Sequence, residues 1–407
     1  MMRVLFYLGQ WSILCAVIGF SIGSSSALFL VLLDKATVIR EHHLWLVAFL
    51  PLAGFAIGLA YHYWGKGVEN GTNQLLNTIH KPEKPVPFKM APLVLFGTLV
   101  SHLVGGSVGR EGTAVQMGGS ISDQLNLLFT FSESDRKWIM IAGISAGFSS
   151  VFGTPLAGAV FALEVYFIGR LQTNALLPAL LAAILADYTT QEIWHLGHTH
   201  YAIELVPEMS PFNLLLATIA GICFGLTSRL YTVLHVAISK WFKESIAYAP
   251  FRPLLGGAML VMVFFLLYYF LNTTKYMGLG VPSIVESFQH PLASYDFIIK
   301  LLLTAFTLGC GFKGGEVTPL FFIGATLGST MSVILPLPTG LLAGMGFVAV
   351  FAGAANTPIA CTLMAIELFG VECGVFVAIA CTIAYLFSGQ TGIYSSQQNK
   401  NAKNLFN

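Results

Sequence analysis

The sequence predicts an all-α polytopic membrane protein built from two related halves. Three observations carry that expectation. The chain of 407 residues is 56% hydrophobic and only 10% charged, against about 25% charged residues in an ordinary soluble domain. Its apolar segments follow one another along the chain without the in–out alternation of a transmembrane barrel strand. A stretch near residue 155 returns near residue 358, so one duplicated bundle accounts for the length better than two or three soluble domains.

The first element is the apolar run over 5–33. With Arg3 ahead of it and small residues behind, it imitates a signal peptide, but it outlasts the apolar core of about 7–15 residues that such a peptide carries. A first, tilted membrane helix is expected instead. Further apolar runs follow over 43–64, 90–108, 114–130, 138–168, 173–194, 212–237, 254–271, 296–311, 317–335, 339–369 and 371–388. Several are shorter than the roughly 20 residues needed to cross a bilayer. Others carry Gly, Asn, Thr and Pro at their middles, as in SSVFGTPLAG and AGAANTPIAC, the mark of helices broken at membrane depth. Lys66, Lys81, Lys84 and Lys89 cluster between the second and third runs, which makes that side the expected cytoplasmic one. After Ser388 comes the polar GQTGIYSSQQNKNAKNLFN, and no cytosolic regulatory domain is expected.

The net charge of +1 calls for no nucleic acid or other polyanion. Cys15, Cys223, Cys310, Cys361, Cys373 and Cys381 lie in or beside apolar segments with no CxxC spacing, as inert bundle residues would. No HExxH and no set of nucleophile, base and orienting acid appears, so an enzyme is not expected, nor a cofactor. His195, His198 and His200 in HLGHTH stand near Glu192, but a fourth zinc ligand is missing and no metal site is expected. NGT at 70–72 and NTT at 272–274 fit the glycosylation pattern by a short motif only.

The repeat aligns GTPLAGAVFALEV at 153–165 with NTPIACTLMAIEL at 356–368. Thr154 meets Thr357, Pro155 meets Pro358, Ala157 meets Ala360, Ala162 meets Ala365 and Glu164 meets Glu367, all at one separation. Upstream, GREGT at 109–113 has a weaker echo in GGEVT at 314–318. Duplicated halves of this kind, often inverted, place broken helices around a site at the bilayer midplane.

GREGT is where the chemistry concentrates. A glutamate in hydrocarbon is costly unless it faces water, a partner or an ion. Glycines at 109 and 112 bring backbone N–H groups close to whatever sits there, and the start of the following helix adds positive partial charge. The combination is an anion site with a carboxylate tethered at its edge. Deprotonated, Glu111 occupies the site; protonated, it leaves, so one residue competes with a diffusible anion and carries a proton. The alternative is a helix-start acid paired with Arg110.

At these residues the chain resembles the CLC family of anion channels and anion/proton antiporters. GREGT is similar to the family's GREGP segment with its gating glutamate, GGEVTP to its GGxFxP segment, and TPLAGAVFALE to one of its helices, while Tyr394 falls where the family offers a tyrosine hydroxyl to the central anion. The resemblance implies one transmembrane domain over 1–407 with a first repeat at about 43–200 and a second at about 210–388, inverted in topology, whose broken helices meet at a midplane anion site. It also implies a homodimer with one pore per subunit, in a plasma membrane and, for a bacterial chain, the inner one.

Departures from the family pattern narrow the reading. The GSGIP segment whose serine holds chloride is replaced by ENGTNQLLNTIH, which puts Asn73, with Thr72 and the amide of Gly71, at the serine's place. Thr113 replaces the proline of GREGP; Glu316, Val317 and Thr318 stand in the second motif; and the second acid of the family's paired glutamates is Val165. This set resembles the fluoride/proton antiporter branch. Fluoride, small and strongly hydrated, requires several hydrogen-bond donors at short range, and Asn73, Thr318, Tyr394 and backbone amides are such donors. The expected anion-binding set is therefore Gly71, Thr72, Asn73, Arg110, Gly112, Thr113, Val317, Thr318 and Tyr394, with Glu111 as gate and proton carrier and Glu316 on the proton route. Thr72 stays open beside Asn73 as holder of the central anion. Lys313 or neighbouring amides offer Glu316 a purely structural role. Glu164 and Glu367 are expected to hold packing or dimer geometry, with a place on the proton path as the lesser reading. Phe148, Phe321, Phe322 and Phe351 are expected mainly to pack. The implied function is export of fluoride in exchange for protons, with a chloride/proton antiporter and a passive anion channel of the same fold as alternatives.

Overall fold

The computed structural model describes residues 2–81, 84–128 and 131–398. Residues 399–407 of the polar tail lie outside the described residues. Among the described residues the regular elements are helices. They begin with α1 (Met2–His42), α2 (Leu50–Trp64), α3 (Thr72–His80), α4 (Met90–Leu103), α5 (Glu111–Asp123), α6 (Leu125–Leu128), α7 (Glu133–Phe152), α8 (Pro155–Glu164) and α9 (Leu176–Tyr188). After a loop over 194–210 come α10 (Pro211–Ser245), α11 (Phe251–Leu271), α12 (Val281–Ser287), α13 (Asp296–Gly309), α14 (Val317–Met331), α15 (Thr339–Ala355), α16 (Pro358–Phe369) and α17 (Gly374–Phe387).

Among the described residues four stretches are long and apolar enough to cross a membrane: Tyr7–His42, Leu44–Trp64, Pro211–Ser245 and Phe251–Leu271. The 36 residues of the first reach roughly 54 Å at 1.5 Å per residue, so in a hydrocarbon layer of about 30 Å the helix must tilt. It outlasts the expected run because 34–42 contains no glycine or proline, and Arg40 and His42 in its last turn suit a helix C-terminus.

The expected breaks fall inside two continuous apolar runs. α7 ends on Gly153 at φ 71° and α15 on Asn356 at φ 58°, both left-handed, a conformation that glycine and asparagine tolerate best. In each case a threonine follows, then a proline at the first position of the next helix, where its missing N–H costs nothing. The short α3 and α12 do not appear among the apolar runs. α3 has a polar first turn and α12 is seven residues long, too little for an apolar period to register.

Helix pairs close through small residues. Gly118 of α5 packs backbone to backbone against Gly143 of α7, and Gly147 against Ala114. In the second half Gly324 of α14 meets Gly346 of α15, and Gly328 meets Leu342. A Cβ at any of these glycines would collide with the facing helix, and such contacts supply the close approach that a bilayer, lacking a hydrophobic drive between helices, requires. At one end of the bundle the His62 and Tyr248 rings meet at 5.3 Å. This joins the end of α2, beside Lys66, to the turn after Lys240 and Lys243 of α10.

Candidate functional site

Two glycine segments meet at the centre. Gly109 N–H donates to the Gly315 carbonyl at 2.6 Å and Gly315 N–H to the Gly109 carbonyl at 2.7 Å, an antiparallel bridge joining the approach to α5 with the approach to α14. The glycines are required by proximity. A Cβ on Gly315 would come within 2.8 Å of the Gly112 amide nitrogen, 3.1 Å of that of Glu111 and 3.2 Å of that of Arg110. Two helix starts, each with outward-facing N–H groups, are thereby aimed at the same small volume.

Glu111 fills that volume. It is fully buried. Its Oε2 accepts from the Arg110 amide and from the Thr318 amide, both at 3.1 Å, and its Oε1 accepts from the Thr318 hydroxyl. The Arg110 guanidinium stands 3.6 Å from Oε1. The carboxylate is thus held by donors from both glycine motifs, the kind of donor set that binds anions.

Of the other expected residues, Val317 is buried at the first turn of α14 and Gly112 faces Gly315, where a Cβ would stand 3.1 Å from the Gly315 Cα. The Thr113 hydroxyl pairs with that of Thr98 on α4 at 2.6 Å, so its side chain faces the neighbouring helix. Gly71 precedes α3 at φ 54°, beside the Gln116 side chain. Its amide donates to the Val68 carbonyl at 3.2 Å, because the chain closes a turn there before the helix begins. Thr72 opens α3, and the Asn73 Oδ1 accepts from the Ser396 amide at 3.0 Å.

That last contact belongs to a latch that positions Tyr394. His80 reaches the Ser396 carbonyl at 3.2 Å, and the Ile393 amide donates to Ala354 at 2.8 Å. The Gln397 side-chain amide donates to the Val165 and Ala355 carbonyls at 3.0 and 2.8 Å, while its oxygen accepts from Asn356. Val165 thus contributes its carbonyl to the latch and buries its side chain. The Tyr394 hydroxyl lies within electrostatic reach of both Glu111 and Glu316. Its ring meets Phe161 edge-on at 6.4 Å, and Phe161, Phe148, Phe351 and Phe321 continue as an aromatic chain to α14. Gln397 and Ser396 carry no motif; as polar residues of the tail, they gain meaning only once it folds back against the break at Asn356.

Glu316 is the N-cap residue of α14. Its Oε1 lies 3.9 Å from Nε2 of His235 on α10, and its Oε2 has no hydrogen-bond partner. His235 is the residue that sequence reasoning passed over. A single histidine inside the apolar α10 was the available signal. Lys313 turns its ammonium instead onto the Tyr61 ring, 4.2 Å from the centroid. At the end opposite Lys66 a cavity of ≈ 740 Å³, lined among others by Lys35, Arg40, Lys275 and His198, reaches Arg110. His198 pairs there with Asp187 at 3.3 Å.

Comparison with known proteins places this geometry. A chloride/fluoride channel protein of Pseudomonas syringae pv. tomato is 52% identical over 399 residues, covering 98% of this chain and 88% of the relative. A voltage-gated ClC-type chloride channel, ClcB, of Escherichia coli O81 is 28% identical over 352 residues, covering 83% of this chain and 82% of the relative. Among solved structures, a CLC-type fluoride/proton antiporter superposes with a TM-score of 0.92 at 34% identity, covering 97% of this chain and 99% of the other. A slow cyanobacterial Cl-/H+ antiporter superposes with a TM-score of 0.79 at 18% identity, covering 93% and 94%, a likeness of fold. Residues 53–389 match the voltage gated chloride channel family, and with this match, the all-helical fold and the two glycine-bridged helix starts around Glu111, the chain belongs to the CLC family.

Proposed function

We propose that this protein exports fluoride across the membrane in exchange for protons. The observation that carries the reading is the Glu111 carboxylate lodged between the starts of α5 and α14, on donors a free anion would use. Similarity to a fluoride/proton antiporter along almost the whole chain supports the choice of ion.

Protonation removes the charge that holds Glu111 on the Thr318 and Arg110 amides. The carboxyl swings away, and fluoride takes the vacated donors. Asn73, whose carbonyl oxygen is engaged by Ser396, keeps its NH2 group for the anion, and Thr72 offers a hydroxyl beside it. Tyr394 supplies the next hydroxyl, and Arg110 with the Gly112 amide and the α14 start at Val317 supplies positive potential. Thr113 supports α5 through Thr98. Glu316 carries protons between one face and Glu111, the task for which Val165 has no ionisable group. The lysine-bearing end faces the cytoplasm by the positive-inside bias. The two repeats, at about 43–200 and 210–388, and the homodimer with one pore per subunit belong to the same reading, as does placement in a bacterial inner membrane.

The name of the Pseudomonas relative joins chloride, fluoride and channel, which favours passive anion flow as the second reading. Purified protein in liposomes, given fluoride and chloride gradients in turn while pH is recorded, separates the two. Fluoride-driven proton movement against its gradient supports exchange; fluoride flux with no proton movement establishes a channel.

A further inference from the structure

On α10, one face carries Ser228, Tyr231 and His235, spaced three and four residues apart and so stacked along a single side of the helix. Thr227 and Thr232 on the same helix satisfy their hydroxyls on the carbonyls of Cys223 and Ser228, whereas this stripe does not. The Ser228 Oγ, which lies against Gly353 of α15, the Tyr231 hydroxyl and the His235 Nδ1 are buried and have no hydrogen-bond partner, and neither has the Oε2 of Glu316, whose other oxygen lies 3.9 Å from His235. Buried polar groups are nearly always paired, so these orphans need an explanation. Packing does not give one, since an apolar residue would fill each position at lower cost.

The stripe has a direction. Tyr231 stacks on His235 with ring centroids 6.0 Å apart, and its hydroxyl is in the electrostatic field of Glu316 and Tyr394 without bonding to either. His235 Nε2 stands 3.9 Å from Glu316 Oε1, a gap that one water or a small side-chain rotation bridges. Beyond His235 the helix runs out to Lys240 and Lys243 at the end shared with Lys66. Glu316 is therefore flanked by the anion site on one side and His235 on the other.

We propose that His235 is a positioning and relay residue that passes protons between the lysine-bearing end of the molecule and Glu316. The inference rests on the reading of Glu316 as proton carrier. A proton arriving at Nδ1 makes the imidazolium, the Nε2 proton leaves to the Glu316 carboxylate, and the neutral ring left with its proton on Nδ1 resets by tautomer exchange or rotation. No other reactant is needed. Tyr231 holds the ring face, and Lys243 lies close enough to influence the imidazole.

The test compares His235→Gln, Glu316→Gln and the double variant in proteoliposomes, with fluoride efflux read by a fluoride electrode and buffering held equal. Calorimetric fluoride binding reports that each variant is folded; if His235→Gln does not bind fluoride, His235→Asn takes its place and is read in the same way. A relay predicts efflux slowed by roughly 10²-fold, the lower end of what a positioned proton-transfer group contributes. The double variant should be no slower than Glu316→Gln, and imidazole should restore His235→Ala. Wild-type efflux in His235→Gln beside slow efflux in Glu316→Gln would overturn the relay and leave Glu316 standing. Wild-type efflux in both would remove the Glu316 reading and the relay with it. Slowing that multiplies in the double variant and ignores imidazole would make His235 structural and overturn the proposal.

Discussion

Glu164 and Glu367 cap each other's helices. The Glu164 carboxylate accepts from the amides of Ile359 and Ala360 at 3.1 and 2.8 Å, at the start of α16. The Glu367 carboxylate accepts from the amides of Leu156 and Ala157, both at 2.8 Å, at the start of α8. Each acid sits near the end of one helix and satisfies the first turn of the helix that holds its counterpart.

That exchange makes both residues structural. Glu164→Ala or Glu367→Ala removes two charge-assisted hydrogen bonds and is expected to cost about 1.5–3 kcal/mol or more. Thermal unfolding of detergent-solubilised protein should show a lower midpoint for each, with proton coupling retained in the surviving fraction. Unchanged midpoints would mean the caps are replaced by water.

Glu111→Gln should abolish fluoride-driven proton movement while the protein stays folded. The amide still accepts from Thr318 but cannot exchange a proton. Vesicles that take up protons at the wild-type rate would exclude Glu111 as carrier.

Gly315→Ala should eliminate fluoride binding with little change in helix content. Its Cβ would press on the amide nitrogens of Arg110, Glu111 and Gly112, separating the two helix starts. Calorimetry showing full affinity would place the anion elsewhere.

Asn73→Ser removes an amide donor and loosens the contact to Ser396, so chloride should compete better against fluoride. Loss of one donor to an anion is worth roughly 1.5–3 kcal/mol, or on the order of tenfold or more in the flux ratio. An unchanged ratio would turn attention to Thr72.

The sequence exposed what is periodic or costly. Membrane helices, the breaks at Gly153 and Asn356, and Glu111 between glycines announce themselves because each violates or satisfies a strong local rule. α3 stayed hidden because a short helix beginning on TNQ has no apolar period. The tertiary pairings stayed hidden too: Gln397 bonding to Val165, and Glu316 facing His235, bring together residues far apart in the chain, and nothing local distinguishes them. The reciprocal caps were legible as a matched pair of acids, but their exchange of partners required the fold.

The two-way bond between Gly109 and Gly315 has a kinematic meaning. Transporters that work by rocking one half against the other must shear their central seam in every cycle. Here the backbone is stitched between the approaches to α5 and α14, beside Glu111, which on the proposed function is where the ion sits. Swinging the halves apart would dismantle the binding site rather than reorient it. On the proposed function the working stroke is therefore left to a single side chain pivoting on a fixed chassis, and the moving mass shrinks to one carboxyl arm.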